Sequence, residues 1–449
     1  MHKAVAFVAA VAVAGCTLAP KYERPASPVA NQFADAGGNL AAADQGWRSM
    51  FGDARLQALI GLALQSNRDL RVVALQIEAT RALYRIERAD LLPQVSAIAG
   101  GDLTSVPDLS RYRIGISASY ELDLFGRVRS LKDAALEEYL ASVEAHRAAH
   151  LALVGAVVTQ YMVERQFAEQ RQIAEQTHAS TRELFDLTKR MLDAGNRSEL
   201  DMRAAEAQMQ GARAEVARLV RLQTQAENAL VLLVGQVLPA SLPAPQPLES
   251  QAIVADLAPG IPSDVLLRRP DVLAAEHVLR AANANIGAAR AAFFPTISLT
   301  GFAGFASAAL TGLFSGGTTL WAFAPQLSVP LFSGGRNVAN LDLAEVRKRI
   351  EVARYERAIQ VAFREVADAL AARAGFEEQL AAQIARVEAE QTRFNLSEQR
   401  YRAGVESHII VLDAQRDLYA AQQQLVAVRV ERLTNLADLY RALGGGWRE

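Results

Sequence analysis

The chain has 449 residues, of which 51% are hydrophobic but only 6% aromatic. This excludes a disordered polymer and suits closely packed helices better than one large globular core. Basic and acidic residues nearly cancel, 47 against 49, so there is neither a nucleic-acid footprint nor an acidic tail, and no polyanionic partner is implied.

Residues Ala4 to Ala14 form an apolar run behind His2 and Lys3. It is too short to cross a bilayer as a helix and the right length for the core of a secretory signal, so residues 1–15 read as a cleaved signal peptide. The run ends in Val13-Ala14-Gly15-Cys16, which resembles the bacterial lipoprotein box, in which the cysteine takes acyl chains such as palmitate and becomes the first mature residue. A chance cysteine in an ordinary signal is the alternative. Cys16 is the only cysteine, so no disulfide forms. Thr17 rather than Asp follows it, which by the same resemblance favours the outer membrane. Residues 16–52 then form a lipid-anchored N-terminal segment, each buried methylene of the acyl chains adding about 0.8 kcal/mol. No other run reaches about 18 apolar residues, so further membrane contact must come from strands.

Strand signals come next. Tyr112, Ile114, Ile116, Ala118, Tyr120 and Leu122 alternate with Arg113, Gly115, Ser117, Ser119, Glu121 and Asp123, which predicts a strand over about 111–123 with one apolar and one polar face. A weaker alternation from Val95 to Leu103 predicts another over about 93–104. From Arg127 to Ala194 there is no proline and one glycine, Gly155. An unbroken helix of that length extends about 100 Å, far more than a globular domain needs. It carries a small-residue stripe (Ala135, Ser142, Ala145, Ala149, Ala152, Ala156) and a larger one (Leu136, Leu140, Val143, Leu151, Val154, Val158, Tyr161). Two stripes mean a neighbour on each side, as in a closed ring or a simple four-helix bundle. Gly195 marks the reversal into a return helix. A Pro-rich linker over 236–262 follows.

The chain is then written a second time. Leu91-Leu92-Pro93-Gln94-Val95-Ser96 returns as Phe293-Phe294-Pro295-Thr296-Ile297-Ser298, Leu124-Phe125-Gly126-Arg127 as Leu331-Phe332-Ser333-Gly334-Gly335-Arg336, and the Ala194-Gly195 step as Ala403-Gly404. The first repeat covers 53–235 and the second 263–443, with a tail at 444–449. Ile297 to Phe305 predicts a strand over about 294–305, and Trp321, Phe323, Leu327, Val329 and Leu331 predict one over about 321–332. Arg336 to Ala403 is a second long helical tract, interrupted only by Gly375. Its return helix spaces Val405, Ile409, Leu412, Tyr419, Val426, Val430, Leu433, Ala437 and Tyr440 like a coiled-coil seam.

Four strands of about ten residues match a tilted crossing of a bilayer, although soluble hairpins share the pattern. Four strands cannot close on themselves, and an open edge cannot stand in lipid. Several copies must therefore share one barrel. Eight strands fill their own interior, whereas three copies give twelve and leave a passage. The expected fold class is thus mixed: a long α-helical barrel plus a transmembrane β-barrel completed by trimerisation, with four strands per chain in two internal repeats. Trp321, Tyr112 and Tyr120 are candidates for an aromatic girdle or for simple packing.

The repeat, the strand and helix order, and the run Ser263-Asp264-Val265-Leu266-Leu267-Arg268-Arg269-Pro270-Asp271 with Ala281-Ala282-Asn283-Ala284-Asn285-Ile286-Gly287 and Phe293-Phe294-Pro295 resemble the lipoprotein branch of the TolC-like outer-membrane efflux proteins. The resemblance implies a homotrimeric outer-membrane channel with a large periplasmic extension, anchored in outer-membrane lipid. It also implies docking to a periplasmic adaptor (membrane fusion) protein and an inner-membrane RND-type pump that supplies the energy. It places the periplasmic aperture and the adaptor contact at the helix-hairpin tips, at Gly195, Asp201, Gly404 and Asp413. There a ring of carboxylates from three chains favours cations. The alternative is that both aspartates are solvated helix-start residues. Ile410 departs from an acidic pattern, so Asp413 alone makes a narrow ring.

Nothing in the sequence reads as an enzyme. Gly316-Gly317 and Gly334-Gly335 lack the Lys-Ser or Lys-Thr of a phosphate loop and read as barrel turns. The six histidines form no metal motif, and no Gly-x-Ser-x-Gly occurs, so no cofactor is expected. The second class kept open is a lipid-anchored periplasmic coiled-coil scaffold or adaptor, which should carry a compact globular domain in place of membrane-length strands.

Overall fold

A computed structural model of the chain describes residues 17–31, 33, 46–102, 111–251, 253 and 263–445. The expected signal peptide, Cys16 and part of the expected linker lie outside the described residues. The chain divides into two compact units. One holds the residues up to Pro28, Ala74–Ala145 and Asp271–Ala358; the other holds Val29–Val73, His146–Pro270 and Ile359–Glu449.

The elements in chain order are a helical turn Trp47–Met50, α1 Ala54–Ser66, α2 Arg68–Ala89, β1 Gln94–Asp102, β2 Arg111–Leu122, α3 Arg127–Asp193, α4 Glu199–Val234, α5 Pro270–Ala291, β3 Thr296–Ser307, β4 Thr319–Ser328, α6 Arg336–Arg402 and α7 His408–Ala442. Both long helices, α3 and α6, have 67 residues. Neither contains a proline, so the backbone hydrogen-bond ladder meets no forced break.

The first unit is built on one antiparallel sheet of order β1-β2-β3-β4. β3 starts and ends later than the expected 294–305. β4 stops at Ser328, short of the expected 332, so Val329 and Leu331 lie outside the strand. Pro330 explains the stop, since it has no N–H for the ladder and restricts the residue before it. Below the sheet, Arg127 donates two hydrogen bonds to Glu121 (2.9 and 2.7 Å), and Asp123 accepts from the Arg129 backbone N–H at 2.8 Å. These bonds fix the step from β2 into α3, beside the stacked rings of Phe125 and Phe294, 4.7 Å apart.

The second unit buries many of its largest side chains around α1, which packs against α4. Trp47, Met50, Phe51, Leu56, Leu59, Ile60, Tyr161, Met162 and Tyr440 are all essentially inaccessible. Asp53 organises this core: it accepts the α1 N-terminal amides of Arg55 and Leu56, the Tyr161 hydroxyl at 2.8 Å and the Gln251 amide at 2.9 Å. One carboxylate thus satisfies donors from three parts of the chain, which a buried charge requires. Within the linker, Leu248–Ser250 forms a single turn whose first amide donates to Glu169 at 2.7 Å.

The seam on α7 is rotated by one residue near its start. The buried positions are His408, Val411, Gln415 and Leu418, whereas Val405 and Ile409 are exposed. The expected and observed stripes merge from Val426 onward. The cause is the buried cluster at the hairpin tip, where Tyr401, Leu184 and Val411 pack together and draw that side of α7 inward.

Candidate functional site

Two regions carry the chemistry, each within one unit. The first is the sheet. Directly paired residues of antiparallel strands share a face, so the register sorts every strand residue. One face carries Val95, Ala97 and Ala99 of β1, Tyr112, Ile114, Ile116, Ala118, Tyr120 and Leu122 of β2, Ile297, Leu299, Ala303 and Phe305 of β3, and Trp321, Phe323 and Leu327 of β4. The other carries Gln94, Ser96, Asp102, Arg111, Arg113, Ser117, Ser119, Glu121, Ser298, Thr300, Gln326 and Ser328, interrupted by Ile98, Phe302 and Leu320. Val95, Ile116, Trp321, Phe323 and Leu327 are exposed, so the apolar face is uncovered. Tyr112 and Tyr120 stand near opposite ends of it, about 27 Å apart along β2. Trp321 shares a row with Ala303 and Ile116 in mid-strand.

The sheet is pinned at its centre by a glycine pair on its polar face. Gly115 and Gly304 are register partners, and a Cβ on Gly115 would meet Gly304 Cα at 2.7 Å and Phe302 Cζ at 2.8 Å. The strands pack here because neither residue has a side chain, and the Phe302 ring covers the gap.

On the same unit, the residues that follow Cys16 are strapped to α5. The Asn283 amide donates to Pro20 O at 2.7 Å, and Ala19 lies against Gly287 where a side chain would collide. Arg24 donates two hydrogen bonds to Glu276, and Arg280 adds a third. Tyr22 donates to the same carboxylate at 3.2 Å, beneath the Arg280 guanidinium. Burial alone would raise the Glu276 carboxyl, but the hydrogen bonds and charges of Arg24 and Arg280 outweigh it and hold the group below its ordinary range. Burial, with the Glu276 charge, pushes the Tyr22 hydroxyl up to about 12.

The second region is the pair of hairpin tips. Gly195 and Gly404 both take φ +76°, the left-handed conformation that ends a helix. At the first tip, Gly195 N–H donates to Leu192 O and Asn196 N–H to Met191 O; at the second, Gly404 donates to Tyr401 O and Val405 to Arg400 O. The two turns are the same motif. The following helices start alike at Ser198 and Ser407, but only Ser198 caps with its side chain, in a reciprocal box with Asp201.

Asp201 is therefore engaged in holding the first turn of α4. Asp413 is part-exposed and lies 3.3 Å from Arg416. The two aspartates are not equivalent, because Ile410 stands as far from Gly404 as Asp201 does from Gly195. Arg402 reaches Glu183 at 3.3 Å and ties the two hairpins together, and Arg400 pairs with Glu406 at 3.0 Å.

A residue the sequence reading passed over is His408. It is 2% exposed, its ring lies 5.1 Å from that of Tyr401, and its Nε2 has no hydrogen-bond partner among the described residues. Burial pushes its pKa down; Asp201 opposes that shift and Arg197, stacked on Tyr401, adds to it. The spacing His408, Val411, Gln415, Leu418 is the helical signal that marks it as inward-facing. Among the described residues no group of three or more His, Cys, Asp or Glu side chains is placed to hold a metal ion.

Comparison with known proteins points one way. A sequence profile described as outer membrane efflux protein matches residues 59–236 and 261–445. The chain is 46% identical to the probable efflux pump outer membrane protein TtgC of Pseudomonas putida, over 98% of this chain and 95% of that one. It is 46% identical to the outer membrane protein OprJ of Pseudomonas aeruginosa, over 99% and 96%. Among solved structures, the open state of the Neisseria gonorrhoeae MtrE outer membrane channel superposes with a TM-score of 0.89 at 42% identity, over 96% of this chain and 99% of that one. CusC, solved in a study of transmembrane channel formation, superposes with a TM-score of 0.88 at 39% identity, over 96% and 100%.

Proposed function

The chain belongs to the outer membrane efflux protein family, and from that premise we propose that three copies of it close one transmembrane barrel and passively conduct small molecules from the periplasm to the exterior. The observation that carries this reading is the sheet itself: four strands with an uncovered apolar face and two free edges, β1 and β4. In lipid those edges must be paired. Because the strands alternate in direction, β4 of one copy meets β1 of the next antiparallel, and a head-to-tail ring of three gives twelve strands with the polar face inward. The exposed Ala145, Ala152 and Ala156 of α3 offer the matching close-packing stripe for neighbouring helices.

The finer assignments follow the same reading. Two internal repeats, 53–235 and 263–443, supply two strands and one hairpin each, and the short second helix of each hairpin returns from a tip built on the same glycine turn. The tips at Gly195, Asp201, Gly404 and Asp413 form the periplasmic aperture and meet the adaptor, with an inner-membrane RND-type pump beyond it. Cys16 carries the lipid anchor. It precedes the strap held against α5 by only a few residues in the sequence. Relatives named for toluene, solvent and antibiotic efflux make aromatic solvents and antibiotics the first cargo to test.

The test is the mass of the native particle extracted in mild detergent from outer membranes, together with toluene sensitivity of cells lacking the chain. A three-chain particle and increased sensitivity support the proposal. A soluble periplasmic monomer overturns it in favour of a periplasmic coiled-coil scaffold.

A further inference from the structure

We propose that the turn joining β3 to β4 is a second, noncovalent lipid contact: an apolar lip whose Leu310 and Phe314 side chains lie in the outer leaflet, at the boundary between headgroups and acyl chains. This rests on the reading of the sheet as a membrane wall and extends it beyond the strands.

Three observations converge on it. The Phe314 ring packs edge-on against Phe305, with centroids 5.6 Å apart, and Phe305 belongs to the apolar face as the register partner of Ile114. The turn thus folds toward the lipid side of the sheet, and its apolar surface is continuous with that face. Second, the turn is built rather than loose. Leu310–Gly312 forms a helical turn, Leu313 is buried, and Thr318 Oγ1 lies 2.8 Å from both Leu313 O and Ser315 O, sharing its one proton between them. Yet this ordered turn leaves Leu310 64% and Phe314 71% exposed. An ordered scaffold that presents large apolar side chains outward is the anatomy of an interfacial anchor.

Third, no Asp, Glu, Lys, Arg or His occurs between Arg290 and Arg336, so the whole β3–β4 hairpin is free of charge. The β1–β2 hairpin differs, with Asp102, Arg111 and Arg113 at its outer end and an ion pair of 3.8 Å between Arg113 and Asp102. Charged groups are costly in lipid and ordinary at an aqueous mouth. The two turns are therefore suited to different surroundings, the first to water and the second to the leaflet.

Spin labels report the difference. Phe314→Cys and Leu310→Cys, labelled with a nitroxide in protein reconstituted into phosphatidylethanolamine and phosphatidylglycerol vesicles, are compared with Phe323→Cys on the apolar face and Thr300→Cys on the polar face. The parent chain, whose only cysteine is Cys16, is labelled alongside and its signal subtracted. The expected result is that labels at 314 and 310 collide more with oxygen than with a water-soluble nickel chelate, as at 323 and opposite to 300. Labels at 314 and 310 that favour the nickel chelate while 323 favours oxygen place the turn in water and overturn the proposal. Labels closed to both reagents and broadened by neighbouring spins place it between copies and overturn it as well. If 323 itself favours the nickel chelate, the membrane reading of the sheet has failed, a distinct outcome.

Discussion

The Arg24 guanidinium grips the Glu276 carboxylate through two hydrogen bonds, of 3.0 and 2.8 Å, tying the N-terminal strap to a helix 252 residues away. Glu276 is 3% exposed, while the Arg24 side chain remains 45% exposed. Hydrogen bonds to charged groups contribute about 1.5–3 kcal/mol, less here because solvent screens the half-exposed arginine. Arg24→Ala should therefore release the strap at a cost of about 1–2 kcal/mol. The check is trypsin cleavage after Lys21, expected to accelerate about tenfold, which corresponds to about 1.4 kcal/mol of easier local opening. The carboxyl is held below its unfolded value, so its contribution is present above that value and lost as pH falls through the lowered one. Acid should loosen the strap in the same assay, and unchanged cleavage in both experiments would show that other contacts hold it.

The glycine pair in the sheet gives a contrast within one strand. Gly304→Ala forces a methyl into the β2 backbone, where Gly115 Cα would lie 2.5 Å away, while Gly301 has nothing within 4 Å of a built Cβ. Overpacking of this kind costs about 1–3 kcal/mol even where side chains can yield, and here the obstacle is backbone. Gly304→Ala should reduce the fraction of trimer that survives warming in SDS electrophoresis, and Gly301→Ala should match the parent. Equal survival of the two variants would remove the close approach as a determinant of assembly.

Much of this architecture is written in local pattern. Period-two alternation located the strands because one face is uncovered and the other polar, and the absence of proline located α3 and α6. What was not legible depends on contacts distant in sequence. Nothing near Arg24 announces Glu276, and Pro330 ended β4 against the alternation of Val329 and Leu331. The α7 seam shows the same limit: the heptad choice through Val405 and Ile409 was as regular as the true one through His408 and Val411. Only the packing of Tyr401 and Leu184 decides between them. Similarly, Asp201 and Asp413 look alike as residues after a tip glycine, but one caps a helix and the other does not.

His408 should make the tip sensitive to acid. Its folded-state pKa is pushed below the ordinary 6.5 by burial, Asp201 pulling it up and Arg197 down. As pH falls below the unfolded value, the unfolded or locally opened state takes the proton first, so the closed tip loses stability progressively until the folded pKa is crossed. One proton sets the limit at about a tenfold change in the opening equilibrium per pH unit. Hydrogen exchange of the amides from 401 to 412, followed from pH 7.5 to 5.5 and corrected for intrinsic rates, should show this added opening. His408→Phe should abolish the pH dependence while keeping the packing against Tyr401. A His408→Phe protein with the parent's profile would show that His408 does not carry the effect.

The tip aspartates can be separated by their different local duties. Asp201 accepts from Ser198 Oγ at 2.9 Å within the cap of α4, so Asp201→Ala should cost about 1 kcal/mol and speed exchange in the first turn of that helix, whatever it does to transport. Asp413 lies within α7, away from its N-terminal cap, and pairs with Arg416 at 3.3 Å, so Asp413→Asn should leave exchange and trimer mass unchanged. If three copies of Asp413 line the aperture, removing their charges shifts the reversal potential of the channel in a salt gradient toward lower cation selectivity. Because Arg416 sits 3.3 Å from the carboxylate and offsets part of its charge, Arg416→Gln should shift it the opposite way. Opposite shifts from two variants of equal stability require the pair to face the conducting path; no shift from either would place Asp413 on the outer surface of the tip, where the remaining role for it is contact with the adaptor.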